Sequence, residues 1–439
     1  MSKDETMQLT LFQESLFEQL CKPAFLKQAW QQVKVNRGAA GVDRVSIEEY
    51  GARLNEELNQ LSKELRGWKY TPEAVLRVEI PKPGSKEKRK LGIPTVRDRV
   101  VQQGLKILLE PHFEPEFSDS SYGFRPGRGQ QDAIKQAKRL AENGKDWVVD
   151  IDLEKFFDRI NQDRVIHLLR QKVRDNKILR LVGLTLRSGI FHDGHLEKSE
   201  EGTPQGSPLS PLLSNIVLDE LDKELEKRGL EFSRYADDAK IYVGSRKSGE
   251  RVMRSISTFI EKRLKLAVNQ TKSKVAQAKD VVFLGFVVTK EFVTMSWKSY
   301  KRAMSKTKEL IKRGAHKPFK EQLEKVNQWY VGWASYYKMT EFPAQLHAIE
   351  AHIRRRFRAQ FVKNQKREKS LAKRLQRQGV LKGRAYCAAY SNKGCWAMSH
   401  AKAVEEAWSN KWFEEEGFKV QSDKELSHWK PVRTWLKPL

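Results

Sequence analysis

Two stretches of this chain set carboxylates at the ends of strand-forming runs. In EFSRYADDAKIYVG, residues 231–244, the pair Asp237–Asp238 separates Phe232–Ala236 from Ala239–Val243. The flanking runs alternate as a hairpin does, with Tyr235 on one face and Arg234 and Ala236 on the other. Two aspartates in a turn are ordinarily turn chemistry, because short polar side chains bond their own backbone. The second stretch is DWVVDIDLEKFFDRI, in which Asp150 and Asp152 follow the β-rich start Trp147–Ile151. Being two apart, they share one strand face, although an Asp leading from a strand into a helix also serves as a simple N-cap. If the two stretches are neighbours, their carboxylates converge and make a site for hard divalent cations. Phe157, five residues past Asp152, suits either the core or the side of a bound nucleotide sugar.

The elements that must position these groups can be taken in chain order. Residues 9–36 read as one helix with Leu9, Leu11, Phe12, Leu16, Phe17 and Leu20 on an apolar face. Ser46 followed by Glu49 has the spacing of a capped helix start. Arg77–Val100 reads as two extended pieces punctuated by Pro and Gly, with Lys82, Lys86, Lys88, Arg89 and Lys90 at a hairpin tip. Such a run is either a solvated face or a clamp on phosphates. SDSSYGFRPGRGQQDAI, from Ser118, reads as an ordered loop before a helix starting near Gln131. Its Arg125 and Arg128 serve phosphate contacts or cap the loop. A helical pattern is expected from about Glu154 to Lys172. Glu201–Gly229 opens with a Gly/Pro/Ser loop rich in backbone donors and becomes an amphipathic helix through Leu212, Leu213, Ile216, Val217 and Leu221. Beyond the Asp pair, a helix through Val252, Ile256, Phe259, Ile260 and Leu264 leads to Lys272 and Lys274, which bring cations back toward the carboxylates. Val282–Val288 reads as a buried strand.

Composition narrows the partner. Lys and Arg total 83 against 56 Asp and Glu, a net charge of +27, which favours a polyanion such as nucleic acid. Residues 351–390 hold thirteen Lys or Arg and one acid, Glu368, a density that RNA backbone explains better than solvation. Cys21, Cys387 and Cys395 are too few and scattered for a disulfide framework or a Cys-rich zinc site. The polar start lacks a signal-peptide pattern, and the longest apolar stretch is Val281–Val288. No membrane association and a cytosolic location are therefore expected. At 439 residues two or three domains are expected.

RGAAGVD, IPKPG…KRKLGIPTVRDRVVQ, SYGFRPGR, DIDLEKFFD, GTPQGSPLSPLLSN, RYADD, NQTKSK and FLGF occur in this order. Together with VNQWYVGWASYY and IRRRFR they resemble the reverse transcriptases encoded within bacterial group II introns, over nearly the whole chain. The resemblance implies an α+β right-hand polymerase. Fingers and palm would occupy residues 1–290, a helical thumb or maturase domain 291–365, and a small basic nucleic-acid-binding module 366–439. It implies copying of RNA into cDNA from dNTPs by two-metal nucleotidyl transfer, with intron RNA, an RNA template and primer, and target DNA as partners. Asp152 and Asp237 would bind two Mg²⁺ ions, with Mn²⁺ as a substitute, and Asp238 would support them, leaving Asp150 a structural role. Lys82 and Arg89 would contact the triphosphate, Phe157 would exclude a ribose 2′-hydroxyl, and Gln205 would pack on the incoming nucleotide. Lys272 would be the acid for the leaving pyrophosphate. Arg125, Arg128, Arg354, Arg355, Arg356 and Arg358 would bind nucleic acid.

Three departures stand out: Ala239 where many relatives have Cys, Ser207 where Gly is common, and the expectation of a form without the Cys- and His-paired endonuclease module that some members carry. Two other readings stay open, a non-enzymatic RNA-binding splicing cofactor and a host-recruited reverse transcriptase in repair or defence.

Overall fold

The computed structural model describes residues 14–81, 88–199, 201–312, 314 and 318–422. The chain divides into two compact units, Met1–Gln277 and Ala278–Leu439, each with its own hydrophobic core.

The first unit is built on two four-stranded sheets. One contains β1 (Val75–Pro81), β2 (Lys88–Ile93), β4 (Ile190–His192) and β5 (His195–Glu197), in the order β2-β1-β4-β5. The other contains β3 (Trp147–Ile151), β6 (Glu231–Tyr235), β7 (Asp238–Val243) and β8 (Lys274–Gln277), in the order β6-β7-β3-β8. All pairings in this second sheet are antiparallel, and Asp150 lies opposite Lys240 on β7 and Lys274 on β8. The two carboxylate-bearing strands are therefore direct neighbours. The helices Arg246–Phe259 and Gln130–Glu142 pack against this sheet, where Val149, Ile151, Phe232, Ile241 and Ile256 join the core.

Several boundaries differ from the sequence expectations. The N-terminal helix is broken into Leu16–Leu20 and Pro23–Val35. Pro23 starts the second piece and holds Lys22 extended at ψ 127°, as the residue before a proline prefers; residues 9–13 lie outside the described residues. Ser46 and Glu49 do form a reciprocal capping box. Past Asp152 the chain makes a short helix, Phe156–Arg159, before Gln162–Lys172 begins on the Asn161 cap. Helix Arg246–Phe259 is followed by a π-helical turn, Ile260–Leu264.

In the second unit, β9 (Phe286–Val288) pairs with β10 (Val293–Met295). The strand expected from Val282 begins only at Phe286, because Leu284 and Gly285 turn the chain at φ 50° and 85°. A Cβ on Gly285 would stand 2.6 Å from the Tyr337 hydroxyl oxygen, so glycine is required there. The helices Trp297–Leu310, Phe319–Tyr337 and Ala344–Lys363 share one core with residues 371–418. Phe361 meets Trp408 at 5.0 Å and Phe319 meets Trp412 at 5.4 Å between ring centroids. Glu350, buried in this core, accepts from Tyr330 Oη and from the backbone N–H groups of Gln421 and Ser422. It thus ties the last described residues to the central helix. Trp429 and Trp435 lie outside the described residues. No helix among the described residues is long and apolar enough to cross a membrane.

Candidate active site

Adjacent strands bring the four aspartates together. Asp150, Asp152, Asp237 and Asp238, with Ile151, Lys240 and Lys272, line a cavity of about 310 Å³. Tyr235 pairs with Asp238, so the two-residue turn is Ala236–Asp237, with Ala236 at φ 57°. That places Asp237 at the tip and Asp238 at the start of β7. Asp152 sits just past β3, its N–H donating to Ser273 Oγ (3.0 Å) and its carbonyl accepting from Asn269 N (2.8 Å). Asn269 Oδ1 in turn accepts from the backbone N–H groups of Thr271 and Lys272. This Asx-type turn delivers Lys272 Nζ to 3.7 Å from Asp152 Oδ2.

Lys240 organises the acidic cluster. Its buried ammonium donates to Asp150 Oδ1 and Asp238 Oδ1, each at 2.5 Å. Two of the four carboxylates thereby share one cation supplied from within the protein. Burial raises the Asp238 carboxyl above the usual range against the pull of Lys240. Burial also raises Asp237, and the charge of Asp152 adds to the effect, while the Arg89 guanidinium opposes it. Because Asp237 and Asp238 hold their protons more tightly than usual, a cation in the cavity would relieve them. Among the described residues no set of three or more His, Cys, Asp or Glu converges at ligand distance. Asp152 and Asp237 are the two carboxylates of the cavity that Lys240 does not bond, and with water and phosphate oxygens they could complete the shell of a hard cation. That is how Mg²⁺, which keeps much of its hydration, is commonly held.

A second cavity, of about 600 Å³, is lined by Phe157, Gln205, Ser207, Phe124, Arg99 and others. Its loop is fastened on two sides. Thr203 N donates to Phe157 O and Gly92 N to Gln205 O, both at 2.7 Å. Gly206, at φ 115°, has Gly92 O 2.7 Å from where a Cβ would lie. Phe156 is buried, whereas Phe157 stands half-buried beside it at 5.3 Å. Ser207, the departure from the family pattern, is buried and donates to Gln102 Oε1 at 2.8 Å, so it bonds the loop to the helix Val96–Phe113.

Of the remaining sequence-derived candidates, Arg89 lies on β2 within electrostatic reach of Asp237, and Lys82 lies outside the described residues. Arg125 is buried and spends its donors on Glu114 Oε1, Ser118 O and Ser121 O. Arg128 bonds the carbonyl and carboxylate of Asp119. Both hold the 118–129 loop in shape. Of the two roles the sequence left open for them, the loop-ordering one matches these bonds.

Arg354, Arg356 and Arg358 are 8%, 5% and 6% exposed, which corrects the expectation of a cationic surface there. Arg354 lies beside Glu350 and the Phe418 ring, and for the other two the reason is helix-end chemistry. Arg356 Nε donates to Ile311 O (2.9 Å) and Arg358 Nε to Trp408 O (2.8 Å), each the C-cap of a neighbouring helix. Arg355 lies 3.9 Å over the Trp396 ring.

Three contributors were missed. Lys240, two residues from Asp238 on one strand, had a signal in that spacing. Fully buried Arg234 donates to Asp222, Asn215 Oδ1 and Ala236 O, and only tertiary contact reveals it. Phe124 is 45% exposed at φ 61°, an uncommon conformation for a bulky residue, with its ring 6.4 Å from that of Tyr235.

Residues 80–288 match the family described as reverse transcriptase (RNA-dependent DNA polymerase), and residues 300–379 match the group II intron maturase-specific domain. Protein YkfC of Escherichia coli (strain K12) is 32% identical over 313 residues, covering 62% of this chain and 82% of that protein. The group II intron-encoded protein LtrA of Lactococcus lactis subsp. cremoris is 36% identical over 220 residues, half of this chain and 36% of LtrA. The chain thus spans about a third of the length of that relative. A telomerase from Candida albicans, solved with a TWJ fragment of telomeric RNA, is similar at 12% identity with a TM-score of 0.43, covering 78% of this chain and 67% of that one. The reverse transcriptase match contains the whole carboxylate cavity, and reverse transcriptases depend on divalent metal for their chemistry. With a maturase domain following its polymerase domain, this chain belongs to the group II intron-encoded reverse transcriptase/maturase family.

Proposed function

We propose that the chain copies an RNA template into DNA at the Asp152–Asp237 cavity with two Mg²⁺ ions, and that its second unit binds intron RNA to assist splicing and mobility. The observation that carries this reading is the division of the aspartates by Lys240, which bonds Asp150 and Asp238 and leaves Asp152 and Asp237 as the cavity carboxylates it does not bond. Bound there, the ions would lower the pKa of a primer 3′-hydroxyl and neutralise the triphosphate as pyrophosphate leaves. Arg89, on β2, would neutralise triphosphate charge. Phe157, half-buried beside the Gln205 loop, would reject a ribose 2′-hydroxyl by collision rather than by a lost bond. Lys272, 3.7 Å from Asp152, would supply a proton to the leaving pyrophosphate. The match of residues 300–379 to the maturase domain supports the splicing role.

Primer extension on an RNA template with Mg²⁺ and dNTPs tests the polymerase. Wild type should give template-length cDNA, and Asp237→Ala should lose at least about a thousand-fold in rate, several kcal/mol of transition-state stabilisation. A folded, RNA-binding wild type without synthesis would overturn the reading and favour a splicing cofactor. Phe157→Ala should admit ribonucleotides that the wild type rejects.

A further inference from the structure

A groove of about 710 Å³ runs between the helices Gln162–Lys172 and Asn176–Leu186 and shares no lining residue with the carboxylate cavity or with the one lined by Phe157 and Gln205. Arg170, Arg180, Arg187 and His167 line it, and Asp163 is the one acid among its lining residues. Asp163 pairs with Arg187 at 2.8 Å. Arg180 lies 5.0 Å over the Trp68 ring, which fixes the guanidinium in place. Trp68 stacks on Phe17 at 5.0 Å, and Lys177 sits 5.0 Å over that second ring. Asp175, the nearest other acid in sequence, is spent on the N–H groups of Phe17, Lys177 and Ile178. Cations therefore outnumber acids along an exposed concave face.

The floor carries an independent signal. Gly183 lies in the interior of the helix Asn176–Leu186, where glycine is less favourable than alanine. A Cβ there would meet Arg187 Nη1 at 3.8 Å and Ile166 Cδ1 at 4.0 Å, which is ordinary contact. Packing does not demand the glycine, and what its missing side chain provides is room in the groove.

We propose that this groove seats a stretch of RNA backbone, with phosphates against Arg170, Arg180 and Arg187, outside the template–primer path. Guanidinium groups held by an aromatic face and a carboxylate suit phosphate oxygens. Their spread over two helices suits a strand more than one small anion, and the net charge of +27 favours a polyanion. This goes beyond the polymerase reading and does not depend on it.

The full chain is titrated with a long folded RNA transcript across a salt series, and primer extension is measured separately on a short template–primer. Arg170→Gln/Arg180→Gln should weaken transcript binding about tenfold and reduce the slope of log K against log salt by about 1.5–2. Gly183→Gln should weaken it without removing a charge, and Gly183→Ala should weaken it less, in step with the smaller volume added. All should extend the short primer at the wild-type rate. Unchanged affinity and slope in the double variant would overturn the proposal. So would wild-type binding by Gly183→Gln beside a weakened double variant, since a diffuse field would then account for the effect. Thermal stabilisation by inorganic phosphate that the double variant loses, with transcript affinity unchanged, would also overturn it in favour of a small-anion site. A wild type that fails to extend primers while the variants respond as stated would sustain the groove and remove only the polymerase reading.

Discussion

Lys240 decides what each aspartate of the site can do. With its ammonium 2.5 Å from both Asp150 and Asp238, a Lys240→Met substitution would leave two carboxylates facing each other without a cation. The expected cost is about 3–5 kcal/mol, measured by urea unfolding, and the loss should shrink as pH falls and the carboxylates take up protons. Asp237 sets the opposite balance. Its carboxyl is raised chiefly by burial and then by Asp152, so the folded protein binds its proton more tightly than the unfolded chain does. Stability without metal therefore falls as pH rises from the ordinary carboxylate value through the raised one, and stays lower above it. A divalent cation held there would remove that penalty. Asp237→Asn should raise the metal-free Tm at neutral pH by about 2–4 °C per kcal/mol relieved. Calorimetry with and without Mg²⁺ should find a gain in Tm with Mg²⁺ in the wild type and none in this variant.

At the scale of elements, the β6–β7 turn is gripped from outside its own strands. Arg234 reaches forward to Ala236 O at 2.9 Å while its other donors engage Asp222 and Asn215. Asn215 Nδ2 donates to Gly123 O at 2.8 Å, joining the loop before Gln130–Glu142 to the same network. Gly123 passes so close that a Cβ would stand 2.3 Å from Ala236 N. Gly123→Ala should therefore shift the turn that carries Asp237. Single-turnover extension should slow by about 10–100-fold, as misplacement of a reacting centre by about 1 Å does, with nucleotide KM and circular dichroism near wild type. A wild-type rate would show that the turn tolerates displacement. The sequence carried the hairpin itself, because alternation and the Asp pair are local. It did not carry the grip, because Ser120–Gly123, Asn215 and Asp222 are distant along the chain. Likewise FLGF read as continuous strand because its residues are apolar, and the turn at Leu284–Gly285 depends on a close approach by Tyr337.

At the scale of the molecule, two separate cores lead to the expectation of two calorimetric transitions. Mg²⁺ should shift only the one belonging to the unit with the carboxylates. A single transition moved as a whole would show that the units unfold together. The basic run at Ile353 shows why charge patterning misleads at this scale. Ala344–Lys363 is the central helix of its unit, and neighbouring helix ends supply carbonyls that take up Arg356 and Arg358. The cations past it, Lys369, Lys373 and Arg377, remain exposed.

The sequence by itself determined the α+β class, the family, and the identity of the acidic residues, because spacing within a strand and the order of motifs are properties of the chain. It did not show that a buried lysine bonds Asp150 and Asp238, since that follows from the β3–β7 register. Nor could it tell a surface arginine from one spent on a helix end. Only tertiary structure decides such matters, because the partner of a charged side chain is set by which distant backbone carbonyls and carboxylates the fold brings within hydrogen-bond reach.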